Sequence, residues 1–403
     1  MNMKTLLKTS VAAAALMAVA APTMAQSNFE TGQPKVKLKL YGQVTKQLLW
    51  ADDGTNSRTF ITDSEASSTR IGFTATAPVN ADFSFGAQLE QEWKSNAPGN
   101  GGVSIYNGNA NNIAINPDNN GVNQTTFTER LAEVTLNHKR FGKISLGQGV
   151  VSADGSSEAN LSGATLASGT IFASQMGATR LYDSRARAYV GASTYGQVFA
   201  VNDPGGRDDR VRYDTPRFMG FAADSSFVSG GKFGVGANYS EKLGQFKIDA
   251  RIGYHNVNSM NSTVDDEIAG SIAVLHDTGL NAHFVAGNRN FKKAGSTPGS
   301  GTAVTYHDGE NIGGGVGYIA KIFGVGPTAF AVDYYRAEGF ERTASTAVAY
   351  DAASWGIGVQ QDFSDIGSSV FLGYRNTSFD APASANLDLD DVNVVTMGVR
   401  VQF

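Results

Sequence analysis

The chain has 403 residues, a formal charge of −5, 17% charged residues, 47 Gly, 10 Pro and no Cys. Without Cys there are no disulfides and no thiolate metal sites, and abundant Gly with few charges suits strands and tight turns rather than helical bundles. Past the leader no stretch approaches the roughly 18 apolar residues of a membrane-spanning helix, which excludes a helical inner-membrane protein.

Residues 1–25 read as a secretory signal peptide. Lys4 and Lys8 form a basic start, 11–21 is a short apolar run, and Pro22, Thr23, Met24 and Ala25 end on a small residue suited to cleavage before Gln26. Cleavage removes Lys4 and Lys8 and no acid, which moves the formal charge from −5 to −7. Nothing in this acidic chain points to nucleic acid.

The mature chain, 26–403, begins with alternation. In strand one, 35–50, Val36, Leu38, Leu40, Val44, Leu48 and Trp50 share one face, and Lys37, Lys39, Tyr41, Gln43, Thr45 and Gln47 the other. Lys46 breaks the apolar face. After a polar loop, 70–77 is strand two, and Phe83, Phe85, Ala87, Leu89 and Trp93 mark strand three, with Ser84, Gly86, Gln88, Glu90 and Glu92 opposite. Residues 95–126 are Asn- and Gly-rich and read as a long exposed loop. Strands four and five follow at 127–137 and 143–149. The stretch 150–206 resists strand assignment, and an insertion of that length is either functional or a sign of misassignment.

Further strands are expected at 209–216, 219–228, 232–241, 245–255, 266–276, 280–288, 311–322, 328–336, 354–363 and 369–376. Tight connections at 242–244, 277–279, 323–327 and 365–367 alternate with polar loops at 255–265, 289–310, 337–353 and 377–391. The last strand, 392–403, sets Val395, Met397, Val399, Val401 and Phe403 on one face against Thr396, Gly398, Arg400 and Gln402. It stops on an aromatic residue inside the pattern. The total is about sixteen strands, an even number that returns both ends to one side. The pattern implies an all-β, transmembrane antiparallel β-barrel, because hydrocarbon demands that every backbone polar group be paired within the protein.

Several runs resemble the general diffusion porins of Gram-negative bacteria. They are Leu40-Tyr41-Gly42, Thr69-Arg70-Ile71-Gly72-Phe73, Val79-Asn80-Ala81-Asp82 and Gly86-Ala87-Gln88-Leu89-Glu90. With them go Arg130-Leu131-Ala132-Glu133-Val134-Thr135-Leu136, Phe141-Gly142-Lys143-Ile144-Ser145-Leu146-Gly147, Val211-Arg212-Tyr213-Asp214-Thr215-Pro216 and the terminal Phe403. The resemblance implies a sixteen-stranded barrel of the outer membrane, usually a homotrimer, whose long third loop folds into the lumen. That loop would be 150–206. Wall arginines Arg70, Arg130 and Arg207, with Glu90 nearby, would form the pore constriction with loop acids, for which Asp154 and Glu158 are candidates and Asp183 a lesser one. Phe403 would be the assembly signal read by the barrel-assembly machinery, and outer-membrane lipid and lipopolysaccharide would surround the barrel. Gln148 departs from the pattern, standing where many members carry an arginine.

The implied function is passive diffusion of small hydrophilic solutes and ions. The alternative is a channel specific for sugars or organic anions, which calls for a line of lumen aromatics; Tyr41 and Tyr213 are too few and too far apart to make one. Catalysis is not expected. His138, His255, His276, His283 and His307 are scattered, with no Gly-x-Ser-x-Gly or His-Glu-x-x-His. No cofactor or intrinsic metal site is expected beyond calcium in an Asp-rich loop with Asp388, Asp390 and Asp391. Trp50, Trp93 and Trp355 fit interfacial girdles.

Overall fold

Alternating side chains close here into a single sheet. The structure, a computed structural model, describes residues 28–29, 35–94, 126–170, 175, 179–199, 201–257, 264–291, 295–296, 303–304, 308–339 and 350–403. The expected signal peptide at 1–25 and nearly all of the loop at 95–126 lie outside the described residues.

The wall begins with β1 (Lys37–Asp52), β2 (Ser57–Asp63 and Thr69–Pro78), β3 (Phe83–Lys94), β4 (Thr126–His138) and β5 (Gly142–Val150). It continues through β6 (Arg207–Asp214), β7 (Phe221–Val228), β8 (Lys232–Leu243), β9 (Phe246–Asn256) and β10 (Val264–His276). It ends with β11 (Leu280–Phe291), β12 (Gly309–Ala320), β13 (Thr328–Glu338), β14 (Asp351–Phe363), β15 (Ser368–Asp380) and β16 (Val392–Gln402). Neighbours in sequence pair antiparallel, and β16 closes on β1 with Gln43 opposite Gln402 and Asp52 opposite Asn393. A closed sheet has no edge, so each wall strand finds partners on both sides. The Gly42 amide donates to the Phe403 carbonyl at 2.8 Å and the Phe403 amide to Gly42 at 3.0 Å, which carries the seam to the last residue. Just beyond it, Asn28–Phe29 pairs with Lys39 and Leu38 of β1.

One face of the wall is apolar and exposed. Phe85, Leu89, Val134, Leu146, Val211, Ile252, Ile272, Phe284, Val316, Phe330, Ile357, Leu372 and Met397 all point outward. A soluble sheet would bury such a band; hydrocarbon accepts it. Trp50, Trp93 and Trp355 lie on this exposed face, Trp93 tilted against Phe127 at 4.6 Å and Trp355 edge-on to Tyr374 at 5.2 Å between ring centroids. Tyr213 also points outward with Val211, and its hydroxyl donates to the Phe141 carbonyl at 2.7 Å, so it is no lumen aromatic.

Three expectations need correction. Residues 57–63, read as polar loop, are the first half of β2 and pair with the upper half of β1. The connections after β1 and β7 are tight although they lie on the long-loop side, so the two rims are less strictly sorted than the sequence implies. The polar face is also not wet throughout. Leu49, Ala51, Val285, Tyr335, Ala337, Ala352, Val392 and Val394 occupy it toward the long-loop rim and are buried. Alternation shows which side a residue faces, but not what covers it.

The misplaced Lys46 now has a reason. It stands on the outward face of β1 and pairs with the buried Asp63 carboxylate, where β2 leaves the wall for residues 64–68. Ala66 of that excursion packs on Leu166, Ala167 and Phe371.

Candidate functional site

Inward-facing charge gathers where β2, β3 and β4 are adjacent. Arg70 faces in from β2, its Nε 3.9 Å from Glu90 on β3. Arg130 donates through Nε to Glu90 at 2.6 Å and through Nη1 to Glu92 at 3.4 Å. By strict alternation Arg130 shares its side with Ala132, Val134 and Leu136, whose face is outward. A bulge between Glu90 and Gln91 corrects this: Leu131 stands opposite Glu90 and Glu129 opposite Gln91, leaving Arg130 as the extra residue. Bulges characteristically re-aim one side chain in this way.

The 151–206 segment is bonded to the polar face of distant strands. Ala159 N donates to Ser271 Oγ of β10 at 2.9 Å, Leu166 N to Gln360 of β14 at 3.2 Å, and Gly169 N to Asp333 of β13 at 2.7 Å. Gln47 of β1 donates to Gln175 at 2.8 Å, and the Tyr195 hydroxyl lies 3.0 Å from Thr377 Oγ1 of β15. Glycines on the wall admit this contact. A Cβ on Gly253 would come within 2.5 Å of Ala153, and one on Gly358 within 2.5 Å of the Ala167 carbonyl. Within the segment, Arg180–Asp183 and Ala188–Thr194 form a hairpin that leads into a short helix, Tyr195–Val198. Leu181, Tyr195, Val198 and Phe199 pack with Leu49, Tyr335, Ala352, Phe379 and Val394 in one apolar cluster.

A fully buried ion pair sits beneath that cluster. Arg375 of β15 pairs with Asp333, which also accepts from the Ser168 hydroxyl and the Gly169 amide. The hairpin is tied to the rim as well. Asp183 bridges to Leu389, the Asp390 amide donates to the Tyr182 carbonyl at 3.0 Å, and the Tyr189 hydroxyl donates to Asp53 at 2.7 Å.

The segment's first turns carry the acids. Asp203 accepts from Gly155 N at 2.9 Å, Ser157 N at 3.0 Å and Ser157 Oγ at 2.8 Å, which brings it beside Asp154 and Glu158. Burial, then the Asp203 carboxylate, pushes Asp154 up to about 7. Glu158 is raised by burial, Asp203 and Asp154, and Asp203 by burial against the pull of its hydrogen bonds. Arg207 offsets part of this at both Asp154 and Glu158 and repels Arg70, so it stands electrostatically between wall and segment.

Arg70, Arg130 and Glu90 thus form one charged group on the wall, Asp154 and Glu158 lie together beside Asp203 on the segment, and Arg207 acts electrostatically on both. Asp183 belongs to neither: its carboxylate accepts from Arg185 N at 3.1 Å and Asp388 N at 3.0 Å, fastening two loops. Sequence reading missed Glu92, Asp203, Arg212 and Arg251. Arg251 was accessible from its polar-face position on β9, whereas Asp203 owes its place to contacts 46 and 48 residues away and has no local signal. Among the described residues no group of three or more His, Asp or Glu is arranged to hold a metal ion.

A closed antiparallel barrel of sixteen strands, apolar outside and charged within, defines an integral outer-membrane channel. The family model described as Gram-negative porin matches residues 12–382, and the chain belongs to that family. It is therefore a channel for passive diffusion across the outer membrane.

Solved structures share the fold at low identity. An anion-selective porin from Comamonas acidovorans is 16% identical, with 91% of this chain and 100% of that one covered and a TM-score of 0.58. OmpF of Salmonella typhi, in complex with daunomycin, is 16% identical over 92% and 98% at 0.55. OmpT of Vibrio cholerae in its trimer form is 13% identical over 91% and 99% at 0.53. No curated protein sequence is detectably similar to the chain.

Proposed function

We propose that the chain is a general diffusion porin whose 150–206 segment folds into the lumen and forms the constriction. Arg70, Arg130 and Arg207, with Glu90, supply one wall of the narrow level, and Asp154 and Glu158 of the segment face them. The observation that carries this reading is the path of the segment: it leaves β5, bonds to inward side chains of β10, β13, β14 and β15, and returns to the wall at Arg207, paired opposite Val150 of β5. Apposed charges of opposite sign set up a transverse field in which a polar solute aligns, while an apolar one must displace ordered water. Arginine suits this level because it stays charged when crowded by other cations. Single-channel recording in planar bilayers tests the reading. Arg70→Ala and Arg130→Ala should each raise conductance and shift selectivity toward cations, and unchanged selectivity in both would remove the constriction from these residues.

Two of the histidines have structural partners, in keeping with a channel without catalysis. His283 Nε2 lies 2.9 Å from the Tyr335 hydroxyl, and His276 bonds Thr278 and Gln245 at 2.8 and 3.0 Å. The reading includes a cleaved leader ending at Ala25, which N-terminal sequencing of the membrane form tests. It also includes a homotrimer in lipid and lipopolysaccharide, inserted by the barrel-assembly machinery through Phe403. A related fold solved in trimer form supports the oligomer, as does an outward apolar concavity of about 560 Å3 crossing β14, β15, β16 and β1. Cross-linking in intact outer membranes tests it.

A further inference from the structure

Between the start of the 151–206 segment and the polar face of β6–β9 lies a concavity of about 390 Å3, a size within the roughly 300–1,000 Å3 of small-ligand sites. It is lined by three cations, Arg212, Arg217 and Arg251, and three acids, Asp154, Asp224 and Asp249. Most of this charge is matched internally. Arg212 bonds Asp214 at 2.7 Å and lies 3.5 Å from Asp224, and Arg251 bonds Asp249 at 2.8 Å.

Two groups stand outside these pairs. Arg217, exposed in the turn between β6 and β7, donates to neutral acceptors, the Gly220 carbonyl and Asn238 Oδ1, each at 2.5 Å. Asp154 forms no salt bridge among the described residues and accepts from the Gly206 amide. The lining therefore leaves one guanidinium and one carboxyl for a visitor. A simple anion would meet three aspartates, and a simple cation three arginines. An uncharged solute leaves both groups unmatched.

We propose that this concavity is a subsite for small zwitterions, solutes that carry an ammonium and a carboxylate, such as free α-amino acids. Arg217 receives the carboxylate and Asp154 the ammonium. The subsite deepens the diffusion-channel reading and rests on it. Residence there raises the local concentration of zwitterions beside the conduit, so they cross faster than neutral molecules of equal size.

The test compares glycine with its uncharged isomer glycolamide in swelling of liposomes that carry the purified full-length mature protein. Measurements are made at about pH 8, above the raised value of Asp154, so that its carboxylate is ionised. Wild type should admit glycine faster than glycolamide. In Arg217→Gln and in Asp154→Asn the glycine-to-glycolamide ratio should fall by about two- to fivefold, the factor an exposed ion pair supplies, and in Arg217→Gln glycolamide entry should stay unchanged. Asp154→Asn keeps side-chain shape, Arg217→Gln alters an exposed turn residue, and glycolamide entry itself reports a folded, open barrel. Equal ratios in wild type and both variants would overturn the subsite while leaving the channel standing. Failure of glycolamide to enter through wild type would overturn the channel reading and the subsite with it.

Discussion

Arg130 reaches Glu90 at 2.6 Å only because β4 carries one residue more than β3 at that level. The pairing holds a guanidinium in the lumen that the local alternation would send to lipid. Replacing Arg130 or Arg70 with Ala should raise single-channel conductance. The cation-to-anion permeability ratio should rise by about two- to fivefold, the scale of one partly screened charge. Reversal potentials under a salt gradient give that ratio directly.

The acids of the 151–206 segment predict a pH response within the ordinary working range. Burial raises Asp154 to about 7 and raises Glu158 and Asp203 as well. Below that range Asp154 and Glu158 are neutral and the wall arginines dominate; above it their carboxylates oppose them. Selectivity should therefore move toward anions as pH falls through about 7 and toward cations as it rises, with the slope flattened in Asp154→Asn/Glu158→Gln. Stability carries the same signature. Between the usual carboxylate range and the raised values the folded protein keeps protons that the unfolded chain has released, so packing of the segment weakens as pH rises across that window. Conductance noise and unfolding midpoints recorded over the same pH series check both.

Asp333 and Arg375 form the anchor of the segment, with side-chain exposures of 0% and 2%. Asp333→Ala removes the carboxylate addressed by Arg375, Ser168 and Gly169, and should cost about 3–5 kcal/mol, the usual result of breaking a buried pair from one side. The double variant Asp333→Leu/Arg375→Met should be much milder for the barrel, because neither charge remains to be desolvated. Denaturant unfolding in detergent separates the two, and a larger, noisier conductance in Asp333→Ala would accompany release of the segment.

Gly42 lies under the closing residue. A Cβ there would stand 2.7 Å from the Phe403 ring and 2.8 Å from the Arg70 carbonyl, the latter unable to move without breaking the wall. Gly42→Ala should cost about 1–3 kcal/mol, as crowding of a packed site generally does. It should also slow barrel closure, followed by the heat-modifiable shift of the folded form on gels.

Strand positions and outward faces were legible because the period of two is a local property. Phe246, Ala250 and Ile252 against Asp249 and Arg251 needed nothing but their own order. Residues 57–63 were not legible, since Ser57, Arg58, Thr59 and Thr62 make a strand too polar to stand out beside a turn. Lys46 looked like a blemish until Asp63 was seen opposite it, and the pair spans a break in β2 that no composition signals. Of the site, Glu90 follows from alternation, and Arg70 and Arg130 from family motif, the bulge that aims Arg130 being invisible in one dimension. Asp203 and the apolar filling under the long-loop rim depend on contacts far apart in sequence. Val392 and Val394 lie on the Thr396 side of β16, and their burial comes from Leu181, Tyr195 and Phe199 of the 151–206 segment, which the local pattern does not reveal.

The main-chain bridge between Asp183 and Leu389 joins the last long connection, on the rim, to the same segment that Asp333 holds deep inside. The last long connection and the segment are thus tied main chain to main chain.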